Sequence, residues 1–194
     1  MTLLGRLNQN LKTESIFNGC IKSCIFILDP GGEGYNMKEL IISSSMFMNN
    51  GWMPDECSGY GNDISPDIRV EDIPDGTQTL AIILDDLDHP VIPEFNHWIA
   101  WNIPCSGIIP GALGKGKVLE NPIHIEQGIG YGKNVYRGPK PPFNGKHRYR
   151  FQVYALDSML QLDSNSKKKD LKSSMDGHVL AEGEIIGIYQ KKHE

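Results

Sequence analysis

Three short segments carry the side chains that could do chemistry. Asp85, Asp86, Asp88 and His89 follow the apolar run Thr79–Leu84 directly. His97 opens the run His97–Ile103. His147, Arg148 and Tyr149 open Tyr149–Leu156, just after Pro139, Pro141, Pro142 and Gly145. Carboxylate, imidazole, guanidinium and phenol groups therefore sit at the boundaries of predicted strands. If the strand ends converge, they form a small polar pocket with proline walls. Imidazole N–H, tyrosine O–H and glycine backbone N–H groups all donate hydrogen bonds, so such a pocket suits an anion. The carboxylates would orient the imidazoles or hold Arg148. The same residues also read as structural braces, with Asp–Arg and Asp–His pairs tying strand ends together. Spacing alone leaves both readings open.

Other motifs fail on their chemistry. Gly111–Val118 nearly spells a phosphate-binding loop, but Val118 has no hydroxyl for magnesium, and Pro104 and Pro110 interrupt the preceding strand. There is no G-x-S-x-G nucleophile elbow and no H-E-x-x-H. Gly128-Ile129-Gly130-Tyr131-Gly132 is not the dinucleotide fingerprint, and no alternating strand–helix pattern surrounds it. The cysteines are Cys20, Cys24, Cys57 and Cys105, without a C-x-x-C pair. Cys20 and Cys24 fit one helix face or a pair of ordinary small apolar residues. No metal and no cofactor is expected.

The elements that must position these residues are short. Glu39–Ser43, Thr79–Leu84, His97–Ile103, Tyr149–Leu156 and Glu184–Tyr189 read as strands, with Pro74-Asp75-Gly76 as a turn before the second. Trp98 and Trp101 are three apart, so they point to opposite sheet faces and serve packing. Residues 105–146 form a long Gly/Pro-rich loop, and a loop that long in a compact domain is usually functional. Lys167–Met175 reads as a helix with Leu171 and Met175 on one face, N-cap chemistry from Ser164-Asn165-Ser166 and Gly177 at its end. His178 reads as a structural contact at that helix end. Short strands between Gly/Pro loops predict a mainly β fold, an antiparallel sandwich or barrel.

Before this, residues 1–36 read as a leader. Leu3, Leu4, Leu7 and Leu11 have helical spacing, an apolar run follows, and Asp29–Gly34 is a turn or linker. The 194 residues amount to one domain with an appendage. The 19 basic and 24 acidic residues give a formal charge of −5, which argues against a dedicated nucleic-acid binder but not against a local anion site. No apolar run is long enough to span a membrane, no signal peptide is evident, and the few cysteines suit a reduced, cytoplasmic protein.

Several motifs in order then resemble a known family. Asp86-Leu87-Asp88-His89-Pro90, Asn96-His97-Trp98 with Trp101-Asn102-Ile103-Pro104, Gly138-Pro139-Lys140-Pro141-Pro142 and Gly145-Lys146-His147-Arg148-Tyr149 resemble the phosphatidylethanolamine-binding protein family. The likeness is closest to its bacterial and archaeal Raf-kinase-inhibitor-like (YbhB/YbcL-type) branch, and Gly177–Ala181 with Glu184–Tyr189 resembles that branch's ending. The resemblance covers about Met37 to Tyr189. It divides the chain into an extension over 1–36 and a domain over 37–194.

The resemblance implies an antiparallel β-sandwich with a few short peripheral helices. It implies a pocket at one end for a phosphate-type small anion or a phospholipid headgroup. Asp86, His97 and His147 match the family's pocket residues, with Gly138 and Pro139 along the wall. Tyr149 is an edge contact, and Tyr189 a further candidate. Asp88, Pro90 and Arg148 match motif positions that brace the pocket. Leu87 departs from the family's D-P-D-x-P pattern by replacing its first proline, which loosens the turn at Asp86. His89 reads as an exposed turn histidine.

The leading expectation is a non-catalytic binding protein for phosphate-bearing ligands, including nucleotides or a phosphorylated partner. Regulation of a kinase or another enzyme is implied only by the family name. A protein partner and a homodimer stay open; nucleic acid is not expected. Anion binding should weaken as pH rises through the histidine range, because imidazolium is the better donor. The alternatives are a hydrolase or lyase with Asp86 and His147 as acid and base, and an interaction module whose pocket is vestigial.

Overall fold

The computed structural model describes residues 11–17, 20–28, 34–143 and 145–191. The chain separates into two units, Met1–Glu39 and Leu40–Glu194. In the first, strands β1 (Leu11–Phe17), β2 (Cys20–Leu28) and β3 (Gly34–Glu39) pair antiparallel in chain order. The expected leader helix over Leu3, Leu4 and Leu7 and all of the expected turn Asp29–Gly34 except Gly34, which opens β3, lie outside the described residues. Leu11 lies in a strand, and so do Cys20 and Cys24, which ends the helix-face reading of that pair.

The second unit is built on two sheets. The smaller joins β4 (Ile41–Ser43), β6 (Ile68–Glu71) and β9 (Ile108–Ile109), all antiparallel. The larger runs β13 (Val179–Gln190), β12 (Lys146–Leu156), β7 (Thr79–Asp86), β8 (Phe95–Pro104), β11 (Ile125–Gln127), β10 (Val118–Leu119). Its pairings are antiparallel, except that the short β5 (Gly51–Trp52) runs parallel to β13. This is the mainly β, predominantly antiparallel architecture expected, with a single short α-helix among the described residues.

Period-two alternation explains the layers. Leu80, Ile82 and Leu84 of β7 pack with Trp98, Phe151 and Val153, and with Ile68, Val70 and Ile109 of the smaller sheet. Ala81 and Ile83 face the other way, against Ile99, Trp101, Leu171 and Met175. Trp98 and Trp101 therefore fall into opposite layers, as their spacing predicts. Asn102 sits at φ +53°, and beyond this bend Ile103 returns to the layer of Trp98. The Asn102 amide ties both polar groups of Leu160, accepting from its N at 2.8 Å and donating to its O at 3.0 Å.

The helix α1 (Lys168–Met175) covers the second layer with Leu171 and Met175. Its start differs from expectation. Asp170, not the Ser164–Ser166 segment, does the capping, by accepting from the Lys167 amide at 2.8 Å. A carboxylate in the first turn also complements the helix dipole. Gly177 takes φ +79° where the chain leaves the helix, as its position predicts. His178 Nδ1 donates to Asp157 Oδ1 at 2.8 Å, a contact that ties the helix end to the strand end.

Candidate functional site

The long strands extend further than predicted, so Asp85, Asp86, His97, His147, Arg148 and Tyr149 lie inside them, while Asp88 and His89 follow β7 in the turn. Asp86 is the last residue of β7, Phe95 the first of β8, and His147 the second of β12. Tyr149 pairs across the sheet with Asp86, which pairs on its other side with Phe95. His147 pairs with Tyr189 on β13. Register alone thus brings Asp86, His147, Tyr149 and Tyr189 to one end of the sheet, and His97 follows two residues after Phe95.

Asp86 and His147 form the tightest contact there. His147 Nδ1 lies 2.8 Å from Asp86 Oδ2, and both side chains are almost fully buried. Asp86 Oδ1 accepts from the Asp88 amide at 2.9 Å. The carboxylate holds the proton on Nδ1 and leaves Nε2 as the working atom of the imidazole. Gly145 borders that atom, because a Cβ built there would lie 2.9 Å from His147 Nε2.

His97 is buried and its Nδ1 lies 2.9 Å from the Arg137 carbonyl oxygen. A carbonyl only accepts, so Nδ1 carries the proton. Burial pushes the His97 pKa below the ordinary imidazole range, so the ring is neutral at neutral pH. Tyr149 is fully buried, and its hydroxyl lies near the Asp86 carboxylate and the Lys140 backbone without a hydrogen bond of good geometry among the described residues. Burial, and then the nearby Asp86 charge, push its pKa far above the phenol range. It stays protonated and is a donor.

These groups form a row of rings. Tyr131, His97, Tyr149 and His147 follow one another with centroid spacings of 5.2, 5.3 and 6.4 Å. Phe95 meets both His97 and Tyr131 edge-on, at 5.5 and 5.0 Å. The Arg137 guanidinium caps the outer end of the row, 4.3 Å from the Tyr131 ring centre. Sequence reading missed Phe95, Tyr131 and Arg137. Phe95 carried a signal, because it shares a strand face with His97 two residues on. Tyr131 and Arg137 come from the irregular loop, where no periodicity places a side chain.

The remaining expected residues brace the row. A Cβ at Gly138 would overlap the Cys57 carbonyl, so only glycine fits there. The Gly138 amide donates to Asp63 Oδ1 at 2.8 Å, and the buried Pro139 accepts from the Gly59 amide at 2.8 Å. Both bind the loop to residues 57–63, and the Gly138 amide is thereby occupied. Asp88 takes a bidentate grip from Arg148, at 2.9 Å to Nε and 2.7 Å to Nη2. That hydrogen bonding holds the Asp88 carboxyl below the usual range. Pro90 is exposed in the turn beyond. Leu87 keeps the turn closed in a way proline could not, since its amide donates to the Arg148 carbonyl at 2.9 Å. Two expectations change. His89 is half-buried rather than exposed, stacked on Phe95 at 4.5 Å. Asp85 leaves the group, because alternation turns it to the other face, where Lys168 Nζ lies at 2.6 Å, Asn96 Nδ2 at 3.1 Å and Arg150 at 3.5 Å.

Residues 43–190 match the family model described as phosphatidylethanolamine-binding protein. The chain belongs to the phosphatidylethanolamine-binding protein family. A UPF0098 protein of Pyrococcus horikoshii is 43% identical over 175 residues, covering 89% of this chain and 88% of that one. One from Archaeoglobus fulgidus is 36% identical, covering 82% of this chain and 54% of that one. Among solved structures, a phosphatidylethanolamine-binding protein homologue of Chlamydia trachomatis has 31% identity and TM-score 0.70, covering 79% of this chain and 99% of that one. E. coli YbcL, described as a member of the mammalian PEBP family, has 26% identity and TM-score 0.72, covering 80% and 100%.

These likenesses place the phosphatidylethanolamine-binding fold in its bacterial and archaeal branch, and membership supports a binding-protein role. Among the described residues, no group of three or more His, Cys, Asp or Glu is arranged to hold a metal. No helix among them is long and apolar enough to cross a membrane.

Proposed function

We propose that the ring row binds the phosphate group of a small ligand or of a phosphorylated partner, without turning it over. The buried, unpartnered Tyr149 hydroxyl carries this reading. An orphaned buried donor costs about 1–3 kcal/mol unless something accepts from it. A phosphate oxygen between Tyr149 and His147 Nε2 would do so. Asp86 holds the Nδ1 side of the His147 ring and leaves Nε2 facing the guest. The chemistry is that of a phosphate monoester or diester, so a phospholipid headgroup, a nucleotide and a phosphorylated segment of a kinase or other enzyme all present it. Catalysis fits less well. Tyr149 is held protonated, which suits a donor and not a nucleophile.

Calorimetric titration of inorganic phosphate at mildly acidic pH tests the reading, with Tyr149→Phe beside the native chain. The expected result is at least about fivefold weaker binding with undiminished thermal stability, since the variant deletes an unpaired polar atom. Equal binding by the two proteins, or none by the native chain, would overturn the reading.

A further inference from the structure

Pro90, Val91, Ile92 and Pro93 form a strap in the turn from β7 to β8. The two prolines have no backbone N–H. The other two amides donate to one and the same atom. Ile92 N lies 3.0 Å from His89 Nδ1 and Val91 N 3.4 Å from it, and neither amide has another acceptor among the described residues. Apolar burial does not hold the strap instead, because Val91 and Ile92 are 80% and 48% exposed. The strap ends at Glu94, a non-glycine residue at φ +49°, which Arg150 clasps at 2.7 Å and Lys168 at 3.3 Å.

These contacts fix the state of the His89 ring. An amide N–H only donates, so Nδ1 is the bare nitrogen of a neutral imidazole and Nε2 carries the proton. Nδ1 does here what the side-chain oxygen of a turn Asn or Asp does when it accepts from amides just ahead in the chain. Unlike an amide oxygen, an imidazole nitrogen takes up a proton at mildly acidic pH. That proton turns the acceptor into a donor and sets it against two N–H groups. The Phe95 ring, stacked on His89 at 4.5 Å, does not oppose the charge, since an aromatic face attracts a cation. Beyond Phe95 lie the rings of His97 and Tyr131. The charged groups on the neighbouring elements have partners of their own: Asp86 has His147, Asp88 has Arg148, Glu94 has Arg150 and Lys168, and Arg137 lies on Tyr131.

We propose that His89 is a proton-operated latch, closing the 90–93 strap when neutral and releasing it when protonated. The released strap stays tethered at both ends, by the His89–Phe95 stack and by the clasp on Glu94, so the opening is local and the fold stays intact. Phe95 meets Tyr131 and His97 edge-on, so the latch gives the outer rim of the ring row a pH-dependent shape. It does not depend on what the row binds.

The test is amide NMR and hydrogen exchange between about pH 8 and about pH 5, spanning the histidine range, on the native chain, His89→Asn and His89→Phe. Asparagine supplies an acceptor oxygen without a titrating group, and phenylalanine keeps the stack but removes the acceptor. In the native chain the Val91 and Ile92 amide shifts should follow the titration of the His89 ring. Ile92 protection, measured against His89→Asn at the same pH, should fall about threefold to tenfold at the acid end, the scale of one net hydrogen bond. His89→Asn should show no such titration, and His89→Phe should be poorly protected at every pH. Native amide shifts that ignore the His89 titration would overturn the latch. So would His89→Asn titrating like the native chain, or His89→Phe protecting Ile92 as well as the native chain does at the alkaline end.

Discussion

Asp86 Oδ2 lies 2.8 Å from His147 Nδ1, while Asp86 Oδ1 accepts the Asp88 amide at 2.9 Å. One buried carboxylate thus fixes both an imidazole tautomer and the turn that follows β7. His147→Ala removes the imidazole and strands a buried charge, and Asp86→Asn keeps the amide contact but loses the charged one. We expect His147→Ala to weaken phosphate binding by roughly tenfold to a hundredfold, the range of one hydrogen bond to a charged group. Asp86→Asn should cost about 1–3 kcal/mol of stability. Titration calorimetry and urea unfolding read the two effects. A His147→Ala protein that binds phosphate normally would remove the dyad from the site.

The lowered pKa of His97 gives stability a definite pH dependence. Burial disfavours its charged form, so between the unfolded value near 6.5 and the lower folded value the unfolded chain binds more protons. Stability therefore falls as pH drops below about 6.5. Anion binding runs the other way, because a nearby bound anion favours the charged form of His97, so affinity should weaken as pH rises. Thermal melts across mildly acidic pH should show the destabilisation, and it should shrink in His97→Gln. A phosphate ligand should stabilise the protein more at low pH than at high pH. Melts that do not respond to acidification would contradict this account.

How far the sequence could be read follows from periodicity. Asp86, His97, His147 and Tyr149 were legible because they flank apolar runs whose alternation fixes strands, and strands fix register. The same rule, applied residue by residue, separates Asp85 from Asp86. Taking them as a group missed that adjacent strand residues face opposite ways. Arg137 and Tyr131 were not legible. They come from the irregular stretch 128–143 that follows β11, whose path is set by contacts such as Gly138 against Cys57 and Asp63, and no local pattern encodes those. The helix lies where expected, but its cap was misassigned for a related reason. Three cap-competent residues precede it, and the Asp170 side chain decided which amide was satisfied.

Gly145 separates site geometry from stability. A methyl group there would crowd His147 Nε2 at 2.9 Å, yet its backbone needs no left-handed φ. Gly145→Ala should weaken phosphate binding several-fold by displacing the ring or blocking the approach to it. Stability should hold or rise slightly, because alanine restricts the unfolded chain. Paired calorimetry and melting curves check this. Unchanged affinity would place the ligand away from His147 Nε2.

The two ion pairs at this sheet end should behave differently. Asp88–Arg148 is bidentate but exposed, with 30% and 52% of the side chains open to water. Asp85–Lys168 is 2.6 Å long, and Asp85 is 1% exposed. Solvent screens the first, so Arg148→Ala should cost at most about 1 kcal/mol, less in high salt. The lowered pKa of Asp88 adds stability present above its unfolded value near 3.8 and lost as pH falls through the lower folded value. Lys168→Ala leaves a buried carboxylate with only Asn96 and the more distant Arg150, which should cost more, about 1–3 kcal/mol, and depend little on salt. It also frees the first turn of α1 from the strand beneath. Urea unfolding of both variants at low and high salt decides the matter, and an Arg148→Ala loss larger than that of Lys168→Ala would show that burial does not rank these pairs.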